Sequence, residues 1–125
     1  MRTIKHRGKT EDGIWVFGSF INTMCGDKAL IIGRQALQTV IYEVSKETIG
    51  QFTGLLDKND REIYEDDIVR DSEGRISYVK WLIQRCGFVL VYEQFDKDIT
   101  GSYGKTEHLE VIGNLHDNKE LIKEK

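Results

Sequence analysis

The sequence predicts a mainly β fold, either a small, partly open barrel or two packed sheets, with a short C-terminal helix. Its apolar stretches are short, rich in Val, Ile, Phe, Tyr and Trp, and separated by Gly, Asn and Asp, which is typical of strands joined by turns. The 125 residues have a net charge of only −3 and 10% aromatic residues, which excludes the composition of a disordered chain. A chain of this size can bury one hydrophobic core.

The elements follow from this alternation of apolar and polar residues. We predict strands at 2–6, 14–21, 28–32, 38–44, 49–55, 67–71, 75–83, 87–95 and 107–113. The clearest hairpin joins 75–81 to 88–92, and the second of these strands is apolar on both faces, which predicts a central position. Asp117 is followed three residues later by Glu120, which predicts the capping box of a two-turn terminal helix.

The domain organisation predicted is one composite β domain over 1–125. The weakest join, at Ser45-Lys46-Glu47, separates a candidate N-terminal β subdomain, 1–45, from a core β subdomain, 46–125. The chain contains no proline, so no rigid linker is specified.

Composition also restricts the location and the partners. No apolar run approaches the roughly 20 residues of a membrane span, and no apolar segment follows the charged amino terminus. We therefore expect a protein of the cytoplasm, without membrane contact, in which Cys25 and Cys86 are reduced thiols. The pI near 5.6 disfavours a dedicated polyanion binder but leaves room for a local basic patch.

The most distinctive segment is 48–69, which reads TIGQFTGLLDKNDREIYEDDIV. It resembles the hallmark of the YopX family of phage and prophage proteins, which is similar to TVGQ(F/Y)TGLxDKNGxEIYEGDIV. The segments 2–5 and 110–114 are also similar to that family's opening and closing segments. The resemblance spans nearly the whole chain and implies a mainly β protein of mobile-element origin, present in the host cytoplasm, with no catalytic residues to carry over.

The physical content of this segment is a series of turns. Gly50 and Gly54 bracket three residues of a strand, where glycine marks a bulge, a bend or a close backbone approach. Asp57 and Asn59 lie in a turn where their side chains can accept hydrogen bonds from backbone amides.

Two residues of the segment depart from the family pattern. Asp60 and Asp66 stand where the family has glycine. Aspartate is one of the few other residues enriched at positive φ, so we predict that both turns survive at a modest cost in strain.

The acidic residues of this segment are candidate metal ligands. They are Asp57, Asp60, Glu62, Glu65, Asp66 and Asp67. A calcium loop beginning at Asp57 fails, because Arg61 takes the fifth position, Glu62 takes the place of the glycine and Ile68 takes the place of the bidentate Glu. We therefore predict turn carboxylates exposed to solvent.

Other catalytic and metal patterns are weak. A metal-dependent nuclease would find only a loose imitation of its site in Asp71, Glu73 and Arg75. The histidines and cysteines have no zinc-ligand spacing. We predict no catalytic residue, no metal and no cofactor.

The amino terminus is basic. Arg2, Lys5, Arg7 and Lys9 precede the first acidic residue, and they could lie along nucleic-acid phosphates. The alternative is a solvated edge strand whose charges prevent edge-to-edge pairing.

The stretch from Ile14 to Ile21 is apolar on both faces, which in a small domain predicts a contact with other elements or another chain. We predict that Trp15, Phe17 and Phe20 lie at an oligomer interface.

The leading functional hypothesis is a non-enzymatic binding or assembly module that self-associates or binds another phage-encoded or host protein. The alternative is a small nucleic-acid-binding barrel that uses the basic N-terminal strand.

Overall fold

The computed structural model describes residues 4–23, 26–92, 96–99 and 106–122. In these ranges the regular elements are strands and short 3-10 turns. The strands are β1 (His6–Lys9), β2 (Trp15–Ile21), β3 (Lys28–Gln35), β4 (Gln38–Ser45), β5 (Gly50–Leu56), β6 (Glu62–Tyr64), β7 (Asp67–Arg70), β8 (Ile76–Leu82), β9 (Gly87–Val91), β10 (Asp96–Asp98) and β11 (Glu110–Asn114). The mainly β prediction is confirmed.

The strands form two antiparallel sheets, neither of which closes into a barrel. The N-terminal sheet has the order β4-β3-β2-β1-β5-β6, and the C-terminal sheet has the order β10-β9-β8-β7-β11. Contacts between residues divide the chain into two compact units, 1–52 and 53–125. The boundary falls inside β5.

The first unit has its own core on one face of the N-terminal sheet. It is built from Val16, Ala29, Ile31 and Val44, with Phe20, Tyr42 and Ile49 packed against them. Because side chains alternate along a strand, the core residues within β2, β3 and β4 are spaced by two or four positions and share one face of the sheet. Gly8 allows β1 to approach this core, since a Cβ there would lie 2.8 Å from Cγ2 of Val44.

The second unit has a separate core, formed by Ile63, Val69, Val79, Leu90, Tyr92, Ile99, Leu109 and Val111. The predicted hairpin is present as β8 and β9, with Tyr78 opposite Val91 and Leu82 opposite Gly87. β9 has a neighbouring strand on each side, as its two apolar faces predict.

Within the described residues, three hairpins are closed by the same five-residue turn, at Thr10–Ile14, Asp57–Arg61 and Asp71–Arg75. In each, the first residue donates its N–H to the carbonyl of the fifth and accepts a hydrogen bond from the N–H of the fourth. The first side chain also accepts a hydrogen bond from the fifth N–H. The fourth residue has a positive φ, of 82° at Gly13, 62° at Asp60 and 82° at Gly74. This is a type I turn followed by a left-handed residue, which sets the register of a hairpin.

The prediction of a C-terminal helix is wrong. Only a 3-10 turn, Lys119–Leu121, is present there. The side-chain oxygen of Asn114 accepts hydrogen bonds from the N–H groups of His116 and Asp117, which fixes a tight turn before a helix can begin. The carboxylate of Asp117 accepts a hydrogen bond from the Asn114 amide instead of capping a helix. Within the described residues, no helix has the length and apolar character needed to cross a membrane.

Candidate functional site

One face of the N-terminal sheet covers the first core, and the opposite face carries large apolar side chains that are exposed or half-buried. We call this the outer face and define it by Trp15, Phe17, Ile21, Leu30, Ile32 and Ile41. The register places four of these side chains in cross-strand pairs: Ile21 lies opposite Leu30, and Ile32 lies opposite Ile41. Phe17 is 48% exposed and Ile41 is 61% exposed. Contiguous apolar side chains at this exposure are typical of an interaction surface.

The structure separates the three residues predicted for an interface. Trp15 and Phe17 lie on the outer face, but Phe20 lies on the opposite face and packs against the first core. The Phe20 ring also contacts the His6 ring, with 5.3 Å between the centroids. Burial lowers the pKa of His6, which favours the neutral ring in this apolar surrounding.

The cations of β1 share the side of the sheet that carries the outer face. Arg7 lies opposite Phe17, and Lys9 lies opposite Trp15. The Arg7 guanidinium is 4.7 Å and the Lys9 ammonium 5.9 Å from the centre of the Trp15 ring, as in cation–π contacts.

The remaining predicted cations differ in their positions. The ammonium group of Lys5 lies 5.2 Å from the centre of the Phe52 ring. Arg7 is only 8% exposed, so its contacts lie mainly within the unit. Arg2 lies outside the described residues.

The acidic turn residues have a structural role. Asp57 is 2% exposed, and its carboxylate accepts three backbone N–H groups: those of Asn59 and Arg61 in its own turn, and that of Val111 in β11. Burial raises the pKa of Asp57, but these hydrogen bonds outweigh it and leave the pKa below its usual value. Asp57 therefore fastens the β5–β6 hairpin to the C-terminal sheet.

Asp71 repeats this arrangement at the β7–β8 turn. Its carboxylate accepts hydrogen bonds from the N–H groups of Glu73 and Arg75, from the Arg75 guanidinium at 3.0 Å, and from the Tyr92 hydroxyl at 3.3 Å. Burial raises the pKa of Asp71, and these donors lower it below its usual value. Asp71, Glu73 and Arg75, which were weak candidates for a nuclease site, therefore form ion pairs within a turn.

The prediction that the acidic residues are exposed to solvent is wrong for Asp57, Asp66 and Asp67, which are buried. Hydrogen bonds from the protein offset the cost of burying these carboxylates; for example, Asp67 accepts the N–H of Tyr64 at 2.8 Å. The described part of the chain contains no group of three or more His, Cys, Asp or Glu side chains that could hold a metal ion.

A match to a known protein family covers nearly the whole chain. A family model described as YopX protein matches residues 11–123. The chain belongs to the YopX family. No curated protein matches it.

A solved structure similar to this YopX chain is the crystal structure of protein EF1440 from Enterococcus faecalis. The TM-score is 0.62 at 19% sequence identity, and the match covers 98% of this chain and 100% of the other. At this identity the similarity shows a shared fold.

The two aspartates predicted to take positive φ lie in different surroundings. Asp60 is exposed at φ 62° in its turn. Asp66 has φ 73°, and its carboxylate accepts hydrogen bonds from Lys80 at 2.9 Å and contacts Nε2 of His116 at 3.2 Å. Burial raises the pKa of Asp66, but the contacts with His116 and Lys80 leave it below its usual value. In turn Asp66 raises the pKa of Lys80 against the opposing effect of burial.

The predicted glycines both lie in β5. Gly50 is buried and lies opposite Arg7 of β1. Gly54 has φ 86°, a left-handed conformation that favours glycine. Asn59 lies at the tip of the Asp57 turn and donates its N–H to Asp57.

Sequence reasoning missed several functional candidates in this YopX chain. Ile21, Ile32 and Ile41 complete the outer face, and the alternation within β3 and β4 places Ile32 and Ile41 on one side. The partners of Asp66 were missed because Lys80 and His116 are distant along the chain. Cys86 is exposed and has φ 50°, and Cys25 lies outside the described residues.

Proposed function

We propose that this YopX protein is a non-enzymatic binding or assembly module of phage or prophage origin that self-associates through the outer face of its N-terminal sheet in the host cytoplasm. The observation that supports the proposal is the exposure of the large apolar side chains Phe17, Ile21 and Ile41 on the same face of one sheet. Burying one such side chain contributes roughly 1.5–3 kcal/mol, so a contact that covers several of them can hold two chains together. A second copy is the preferred partner, and another phage-encoded or host protein is the alternative.

The first test is the absolute mass of the purified protein by light scattering at low and high salt. We expect a mass well above 14.5 kDa that salt does not reduce, because apolar contacts are not screened by ions. A monomer at every concentration would refute self-association.

A pair of variants locates the contact. The double variant Phe17→Ser with Ile41→Ser removes two large apolar groups from the outer face, and we expect it to be monomeric. Ile83 is 76% exposed outside the outer face, so Ile83→Ser is the matched control and should keep the wild-type mass. If the double variant also kept the wild-type mass, the contact would lie outside the outer face.

A second candidate function is nucleic-acid binding by the same side of the sheet. Lys9 beside Trp15 supports it, because single-stranded binders combine cations with aromatic rings that stack bases. The ultraviolet absorbance ratio recorded with the mass would reveal bound nucleic acid. This function predicts a monomer that releases nucleic acid in high salt and loses affinity in Lys5→Gln and Lys9→Gln variants.

A further inference from the structure

The described sheets end in four edge strands, and β4 differs from the other three. Proteins shield sheet edges with short strands, charged side chains or bulges. β6 and β10 have three residues each, every residue of β10 is charged, and β11 has a break in register between Val111 and Gly113. β4 has eight residues, pairs with β3 without a bulge, and contains one charged residue, Glu43, and neither lysine nor proline. It is therefore the edge that is best suited to accept another strand.

The direction of the backbone groups of β4 follows from its hairpin. Ala36 and Leu37 form a two-residue loop, and Gln35 lies opposite Gln38. The residues that flank such a loop are a hydrogen-bonded pair, and bonded and non-bonded positions then alternate along the strand. The backbone groups of residues 38, 40 and 42 therefore point toward β3, whereas those of residues 39, 41 and 43 point away. No described strand pairs with this second edge.

We propose that two copies of this chain pair through β4 in antiparallel orientation, with Ile41 directly opposite Ile41 of the second copy. A twofold axis perpendicular to the sheet keeps each face on its own side, so the outer faces of the two copies join. In this register Thr39 lies opposite Glu43 of the second copy, where its hydroxyl can donate to the carboxylate. The outward backbone groups of residues 39, 41 and 43 then supply about six hydrogen bonds between the copies.

The sequence of β4 favours this register over its neighbours. A register centred on Tyr42 would place Ile41 against a carboxylate, and one centred on Glu43 would place two carboxylates opposite each other, which is destabilising. Pairing at Ile41 instead covers an apolar side chain that is exposed in the single chain. This self-complementarity identifies a second copy, rather than an unrelated strand, as the occupant. The inference rests on the self-association proposed above, and it adds a backbone contact at β4, the sheet edge that carries Ile41 of the outer face.

The affinity test compares two lysine variants by concentration-dependent mass. Ile41→Lys places two ammonium groups opposite each other and removes the apolar contact, so we expect the dimer Kd to rise at least about 100-fold. Ile83→Lys makes the same chemical change outside the outer face and should leave the Kd unchanged. If the folded Ile41→Lys chain dimerised with the wild-type Kd, this pairing would be overturned but self-association would not. A monomeric wild-type protein would overturn both.

A cross-linking test reads the register directly and does not depend on a disruptive variant. In a chain with Cys25→Ser and Cys86→Ser, Ile41→Cys places two thiols across the twofold axis, with Cα atoms roughly 5.5 Å apart, within the range of a disulfide. We expect oxidation to give a covalent dimer. Thr39→Cys should give none, because its thiol lies opposite Glu43 of the second copy. Cross-linking at position 39 but not at position 41 would overturn the register, and so would no cross-link from an oligomeric Ile41→Cys chain.

Discussion

Replacing Asp57 by asparagine tests whether the buried turn carboxylates stabilise this fold. Asp57 and asparagine have nearly the same shape, so the substitution removes the charge and one acceptor without creating a cavity. The asparagine oxygen can still accept the N–H groups of Asn59 and Arg61. Its amide group would then face the N–H of Val111, which lies 2.9 Å from the Asp57 carboxylate in the native chain. Two donors would meet, and the Val111 N–H would lose its partner.

The magnitude follows from those contacts. A hydrogen bond to a charged group contributes about 1.5–3 kcal/mol, and a buried donor left without a partner costs about 1–3 kcal/mol. Allowing for overlap between these terms, we expect Asp57→Asn to lower the free energy of unfolding by about 2–4 kcal/mol. Total stabilities of single domains are about 5–15 kcal/mol, so this is a large fraction.

Urea unfolding monitored by tryptophan fluorescence measures the effect. With a slope of about 2 kcal/mol per molar urea, within the usual range for small proteins, the midpoint of Asp57→Asn should fall by about 1–2 M. Asp12→Asn is the matched control, because Asp12 lies exposed in the equivalent turn at Thr10–Ile14. Its free energy of unfolding should change by no more than about 0.5 kcal/mol. Equal midpoints for the two variants would refute the reasoning.

The pH dependence gives an independent check. The pKa of Asp57 is lowered in the folded chain, so its contribution is fully present above the unfolded pKa and is lost as pH falls through the folded pKa. The difference in stability between wild type and Asp57→Asn should therefore shrink as pH is lowered from neutral into the range below the ordinary aspartate pKa. A constant difference over that range would show that the carboxylate is not responsible.

Three further predictions concern single residues of the turns and strands. Asp60→Gly should raise the free energy of unfolding by up to about 1 kcal/mol, because φ is 62° and the side chain is exposed. Asp66→Gly should instead lower the free energy of unfolding, because it removes the contacts to Lys80 and His116. Lys80→Gln should raise the pKa of Asp66 in a carbon NMR titration, and an unchanged pKa would contradict the assigned contact. Gly18→Ala should cost about 2 kcal/mol or more, because its Cβ would overlap a backbone oxygen of β3, while Gly87→Ala, whose nearest neighbour is at 3.6 Å, should be nearly neutral in the same urea measurement.

The sequence by itself determined two local features of this protein. The alternation along β2 separates Trp15 and Phe17 from Phe20, because successive side chains of a strand point to opposite faces. The spacing of Asp57, Asn59 and Asp60 defines a turn whose bonds lie within five residues of the chain. Both properties depend on neighbours in the sequence, so they can be predicted without the fold.

Only the tertiary structure decided which of these features meet solvent. Alternation does not say which face of β2 covers the core, and the assignment of Phe20 to that face depends on residues of β3 and β4. The third donor to Asp57 comes from β11, far along the chain, which is why a carboxylate expected in solvent is buried. The position of β4 at a sheet edge depends on the order of strands in space. Long-range pairing, which no local pattern encodes, decides burial and exposed edges, and with them the surface proposed for assembly.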